Sequence, residues 1–316
     1  MPKVVALMDK YNPTGFTEGV DFLCYVEGFF ERGCTVFQLD HFTINFEEGT
    51  ARVYFLKKEK GKIKRINNPV TKKLSDFDFF VNLGSSIGKD FAEKFEKVPG
   101  LKFNPPLEMC RSADKRTYVK YYNEFIPETI FTKDPNVLVK TLQKFLGLMV
   151  VKTEVNGSCG NGVLKIDVKE KGFLEKLRRA TNFGEKEVVA QKLLSFANEG
   201  SKRVAVIGIP SDPSSYRVIH FYGRRPSKND WRDNLDKGGE LVEIDSLRKD
   251  EVKLCLEVAR KSGLFGVGLD IMDDLDEKGG RVSKLIETNS VLAFSAYGKY
   301  SEEMKKITNF ILDVLV

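Results

Sequence analysis

Asp270, Glu287 and Asn289 are the residues whose types and spacing first point to chemistry. Asp270 interrupts the apolar run FGVGLDIM, Glu287 and Asn289 close the run VSKLIETN, and the charged turn DDLDEKGGR lies between. Two apolar runs around a Gly-containing turn read as a β-hairpin or as two neighbouring strands. On a strand, side chains two residues apart share a face, so Glu287 and Asn289 point the same way. A carboxylate set among Val, Leu and Ile is costly unless a cation satisfies it. Three oxygen donors converging from adjacent strands make a hard-cation site suited to Mg2+ carried on phosphate oxygens. Either acid alone would read as an ordinary surface carboxylate.

A second group of residues could hold those phosphates. Gly157, Gly160 and Gly162 lie beside Ser158 and Asn161 in a loop between the runs LMVVKT and VLKIDV. Glycines let backbone amides approach phosphate oxygens because no Cβ intervenes. The loop is not a Walker loop, since no GK[ST] follows and a strand comes next. A Gly-rich hairpin tip explains the same glycines equally well. Lys152 sits in the β-branched run just before the loop, where a lysine must snorkel or find an anion, and a nucleotide phosphate at the strand end would supply one. Lys115 is a second candidate cation, although ADKR alone would read as a solvated helix face.

These residues are spread over more than half of a 316-residue chain, so several elements must bring them together. Residues 1–110 alternate strand and helix signals: a strand over 3–8, a helix over 20–32 ended by Gly33, a strand over 35–39, a strand pair over 42–69 around the turn EKGK, a strand over 77–83, a helix over 89–97 and a short strand over 101–104. This pattern predicts an open α/β domain, and it lacks a GxGxxG after the first strand. Pro105-Pro106 punctuates the chain. Beyond it, Ser112 is expected to N-cap a helix reaching Tyr122, with Asp114 in its first turn, and Asp134 to begin another over 137–145. The strand LMVVKT, the Gly-rich loop, the strand VLKIDV, a helix over 173–180 and the strand EVVAQ follow. From residue 192 the strands RVAVIG and SYRVIHFYG, a loop WRDNLDKGGELVEI, a helix over 247–262, the metal-ligand strands and a helix over 301–316 make a third region. The expected domains are 1–110, 111–191 and 192–316.

Composition is that of a globular protein, at 41% hydrophobic and 30% charged residues. A net charge of +6 favours an anionic ligand, but no basic stripe with interleaved aromatics argues for nucleic acid. Cys24, Cys34, Cys110, Cys159 and Cys255 are scattered and odd in number, against a disulfide framework or zinc site and in keeping with a reducing cytoplasm. His41 and His220 are too far apart for a His-based metal site. No run approaches a membrane span, and MPKVVALMDK reads as a first strand rather than a leader.

Read in order, ADK at 113–115, VVKTEVNGSCGNGV at 150–163, AQKLLSFANEGSKRVAVIG at 190–208, WRDNLDKGG at 231–239 and GLDI…ETN at 268–289 resemble the ATP-grasp carboxylate–amine ligases, most closely bacterial-type glutathione synthetase. The resemblance implies an ATP-grasp fold: an N-terminal open α/β domain followed by two α+β lobes with ATP between them. It implies that Lys115 and Lys152 hold the ATP phosphates and that the loop containing Asn156, Gly157, Ser158, Gly160 and Gly162 closes over them. It makes Gln191, Lys192, Leu193 and Leu194 the hinge that reads adenine, and Glu199 a ribose contact. It sets Arg203, Arg232 and Asn234 near the transferred phosphate and acyl group, and Asp270, Glu287 and Asn289 on Mg2+, with Mn2+ able to replace it.

The implied reaction joins a small-molecule or peptide carboxylate to an amino acid or amine through an acyl-phosphate, releasing ADP and phosphate. A glutamate ligase of the ribosomal-protein-modification type and a non-catalytic ATP-binding module are the alternatives. Neither nucleic acid nor membrane is an expected partner, and a homo-oligomer is compatible with the sequence. Two places depart from the glutathione synthetase pattern. VNLGSSIGKD at 81–90 has no arginine where the peptide-binding segment carries one, and SVLAFSAY at 290–297 has no proline in the glycine-site loop. The ATP half matches; the acceptor half differs.

Overall fold

Among the described residues, three β-sheets follow one another along the chain, with no strand of one lying in sequence between strands of another. The computed structural model describes residues 3–9, 20–66, 68–83, 88–154, 161–228, 230–290, 292 and 302–315. The first sheet contains β1 (Val4–Asp9), β2 (Thr35–Asp40), β3 (Thr50–Glu59), β4 (Lys62–Arg65), β5 (Val70–Lys73), β6 (Phe79–Asn82) and β7 (Leu101–Phe103). Strands β2, β1, β6 and β7 run parallel, while β3 joins β2, and β4 and β5 join β3, in antiparallel pairing. Parallel strands covered on both faces need continuous apolar runs, which β1 and β6 have. Helix α1 (Val20–Glu31) covers one face through Phe22, Val26 and Phe29, and Gly33, at φ +73°, follows it. Helix α2 (Lys89–Glu96) contributes Phe95 to the core on the other face, beside Phe37, Phe77 and Phe80.

The strand pair expected over 42–69 is shorter than its sequence signal. Asp40 accepts the Phe42 N–H at 3.1 Å, folding His41–Thr43 into a 3-10 turn, and Asn45 accepts the N–H groups of Glu47 and Glu48. Such side-chain acceptors compete with strand pairing. The hairpin around EKGK forms as expected, and β5 is an additional strand.

The second sheet, ordered β10-β9-β11-β8, is antiparallel throughout. It consists of β8 (Thr129–Thr132), β9 (Leu148–Lys152), β10 (Val163–Asp167) and β11 (Val188–Lys192). Helices α5 (Pro135–Lys144) and α6 (Phe173–Ala180) pack Leu138, Leu142 and Leu177 onto Met149, Val151 and Ile166. Asp134 caps α5 as expected, accepting the Asn136 N–H at 2.8 Å.

Ser112 does not cap a helix. Two helices, α3 (Pro106–Ala113) and α4 (Arg116–Tyr122), stand where one was expected. Pro106 suits the first turn of α3, where a missing N–H costs nothing. Asp114 then accepts the Arg116 N–H at 2.9 Å and starts the second helix. Ser112 therefore lies inside α3, buried, and donates to Thr288 Oγ1 at 2.8 Å.

The third sheet, ordered β14-β13-β12-β15-β16, is also antiparallel. Its strands are β12 (Ser201–Ile209), β13 (Asp212–Arg225), β14 (Glu240–Val242), β15 (Gly266–Leu275) and β16 (Arg281–Asn289). Helix α7 (Lys249–Ser262) packs on one face together with Tyr118 and Tyr122 of α4, so α4 belongs to this core rather than to that of the second sheet. The opposite face sends Ala205 and Ile207 into the first core. Helix α8 (Glu302–Leu315) returns there too, bringing Ile307, Phe310 and Ile311 against α1. The two helices touch at Gly28, where any Cβ would come within 3 Å of Thr308. Among the described residues, no helix is long and apolar enough to cross a membrane.

Candidate active site

A cleft with a volume of about 120 Å³ opens between the second and third sheets. Strand register assembles its acidic part. Arg203 of β12 lies opposite Asp270 of β15, and Asp270 lies opposite Glu287 of β16, so residues far apart in sequence form one row across three strands. A register shift after Asp270 leaves Ile286 as an extra residue on β16. Bulges of this kind re-aim side chains beside functional sites. Here the Ile286 carbonyl meets Lys152 Nζ at 3.5 Å, and both residues line the cleft. Behind the row, the Tyr118 hydroxyl accepts the Thr288 N–H at 2.9 Å, which fixes the strand between Glu287 and Asn289.

Asp270 is buried and doubly paired, with Arg203 through two contacts and with Arg224 at 2.7 Å. Burial pushes its pKa up, but the two guanidiniums outweigh burial and hold it at about 2. Glu287 pairs with Lys115 at 3.3 Å. Lys152 is buried, and burial pulls its pKa down to about 8; Glu287 and Asp270 oppose that pull, while Lys115 reinforces it. Four cationic side chains thus face two carboxylates in a largely water-poor space. That excess of positive charge is suited to an anionic ligand.

The donor set fits a magnesium-type ion. Asp270 and Glu287 supply carboxylate oxygens from paired strands. Asn289, opposite Gly268, keeps a buried Nδ2 without a hydrogen-bond partner among the described residues. No group of three or more His, Cys, Asp or Glu side chains able to hold a metal occurs among the described residues. Two carboxylates and an amide leave the rest of the coordination sphere to phosphate oxygens and water, as Mg2+ prefers.

The remaining expected residues fall into three groups. Lys115, Lys152, Gln191, Lys192, Leu193 and Leu194 line the cleft, as do Arg232 and Asn234. Glu199 does not; it lies in an adjacent cavity and pairs with Arg281. Asn156, Gly157, Ser158 and Gly160 lie outside the described residues. Next to them in sequence, the Gly162 carbonyl accepts the Thr153 N–H at 2.8 Å, and Asn161 accepts from Lys237 Nζ at 3.2 Å, tying residue 161 to the 231–239 segment.

Several residues of the cleft escaped the sequence reading. Arg224 reads as surface charge in the strand end GRRP, yet it is buried, paired with Asp270, and its Nε has no hydrogen-bond partner among the described residues. Val150 and Met272 line the cleft two residues from Lys152 and Asp270, on the same strand faces, so a period of two could have found them. Trp231 lines it beside Arg232.

Two antiparallel sheets gripping a cleft behind an open α/β unit define an ATP-grasp protein, and solved structures bear this out. A RiPP-associated ATP-grasp ligase from Chryseobacterium gregarium, in complex with ADP and a leader and core peptide, superposes with a TM-score of 0.66 at 13% identity, covering 99% of this chain and 97% of that one. The VanG D-Ala:D-Ser ligase of Enterococcus faecalis superposes with a TM-score of 0.67 at 15% identity, covering 100% of both chains. Residues 115–277, just over half of the chain, match the prokaryotic glutathione synthetase ATP-grasp domain, and the chain belongs to that family. Glutathione synthetase of Shewanella oneidensis is 26% identical over 185 residues, covering 58% of this chain and 56% of that protein. The chain spans about half the length of the curated relatives it matches.

Proposed function

We propose that the protein is an ATP- and Mg2+-dependent ligase that joins a carboxylate to an amine in an amide bond, in the manner of glutathione synthetase. The observation that carries this reading is the row Arg203–Asp270–Glu287 with Lys115, Lys152 and Arg224 around it: a buried, net-positive pocket bearing oxygen ligands. The domain limits 1–110, 111–191 and 192–316 belong to this reading, with ATP between the last two. The substrates are a small-molecule or peptide carboxylate and an amino acid or amine, and the scattered, odd-numbered cysteines suit a reducing cytoplasm.

In this scheme a carboxylate oxygen of the first substrate attacks the γ-phosphorus of ATP, and the bond to the β–γ bridging oxygen breaks. Lys115, Lys152, Arg203 and Arg224 stabilise the charge spread over the transferred group. A divalent ion held by Asp270, Glu287 and Asn289 would neutralise phosphate charge. The amine then attacks the acyl carbon of the resulting acyl-phosphate, loses a proton and expels phosphate. Arg232 and Asn234, which line the cleft, would orient the acyl group. Positioning and charge suffice, so no protein nucleophile is required. A phosphate-release screen with Mg-ATP, pairing candidate carboxylates with amines, tests the proposal. Substrate-dependent ADP and phosphate release is expected for at least one pair; tight ATP binding with no release from a broad panel would instead mark a nucleotide-binding module.

A further inference from the structure

Strand β15 carries a third functional residue on the face that bears Asp270. Alternation along a strand places Asp270, Met272 and Asp274 on one side, with Asp273 opposite. Asp270 and Met272 both line the cleft, Asp270 as the proposed metal ligand. Asp274 is buried at 4% exposure and grips the connector that leads from β11 to β12. It accepts the Ser195 N–H at 3.0 Å, the Ser195 hydroxyl at 2.7 Å and Lys192 Nζ at 3.1 Å. Asp273 is engaged elsewhere, by Arg248, Arg281 and Ser283.

Leu193 and Leu194 sit between the two gripped residues and line the cleft, as does Ala197 just beyond. One carboxylate therefore fastens both ends of the segment that walls the pocket, and it does so from the strand that holds the metal ligand. We infer that Asp274 is a positioning residue that sets the distance between the base-binding wall and the phosphate-binding row, so that adenine and triphosphate are held together. The inference rests on the ATP reading of the cleft. It assigns Asp274 no contact with nucleotide; its effect passes through the backbone of 192–195.

Calorimetric titration of the full chain with two probes, Mg-ADP and inorganic tripolyphosphate with Mg2+, tests it. Asp274→Asn keeps an acceptor for Ser195 but sets an amide against the Lys192 ammonium; Asp274→Ala removes every bond. Loss of one charge-assisted bond at the wall is expected to raise the Kd for Mg-ADP roughly tenfold in Asp274→Asn, and more in Asp274→Ala. Tripolyphosphate affinity should stay at the wild-type value in Asp274→Asn, since it does not touch the wall. Unchanged Mg-ADP affinity in both variants overturns the inference, as does an equal loss for the two probes, which would mean general destabilisation. Failure of the wild-type chain to bind Mg-ADP at all would instead overturn the ATP reading beneath it.

Discussion

Lys152 is an ammonium with too little water and too few anions around it, and its titration follows from that. Its folded-state pKa of about 8 lies below the ordinary 10.5, so between those values the unfolded chain binds more protons than the folded one. The cost of the buried charge is fully present below pH 8 and is relieved as pH rises towards 10.5. A triphosphate beside Lys152 restores the missing countercharge and draws the proton back. ATP binding near pH 8.5 is therefore expected to take up a proton, visible as calorimetric enthalpies that vary with buffer ionisation, and affinity should fall above pH 8. Binding without proton uptake at that pH would separate Lys152 from the phosphates. Asp270 faces the opposite situation, held as an anion by two guanidiniums. Asp270→Asn should abolish turnover and, by leaving Arg203 and Arg224 uncompensated, lower stability by up to about 3–5 kcal/mol on urea denaturation. Glu287→Gln should abolish turnover with a smaller stability loss, because Glu287 is 29% exposed and, among the described residues, has one ion pair, to Lys115. Turnover retained in both variants would remove the metal assignment.

At the scale of elements, the sharpest constraint is where the connector enters β12. Gly200 has φ +94° and ψ −168°, a region essentially closed to residues with a side chain, and a Cβ there would fall 1.8 Å from the Arg224 carbonyl. Gly200→Ala is expected to cost at least about 1–3 kcal/mol and to displace Arg224 from Asp270, read as a lowered denaturation midpoint together with weakened nucleotide binding. The elements themselves were largely legible, because period-two and helical spacing are written in residue types: β15 and β16 follow from FGVGLDIM and VSKLIETN. What stayed hidden depends on partners distant in sequence. Nothing local to GRRP says that Arg224 turns inward to a carboxylate 46 positions away. The break between α3 and α4 was missed because Pro105-Pro106 reads as a stop, whereas Pro106 also fits a first helical turn. The bulge at Ile286 comes from pairing between two strands, which no single run of residues reports.

For the molecule as a whole, a ligand that bridges the second and third sheets should make them unfold together. Mg-ATP at a hundred times its Kd adds about 2.7 kcal/mol to the folded state, so the melting transition should move upward and sharpen. No shift with saturating Mg-ATP would mean that the cleft does not take it. The chain also folds back on itself: Ile307, Phe310 and Ile311 of α8 complete a core begun by Val5, Phe22 and Val26. The strands of the first sheet leave the ribosome about 200 residues ahead of that helix, a delay of roughly 10–40 s at ordinary elongation rates. During that interval the apolar residues of α1 that pack on α8 stay exposed. The first core is therefore complete only once α8 has been made.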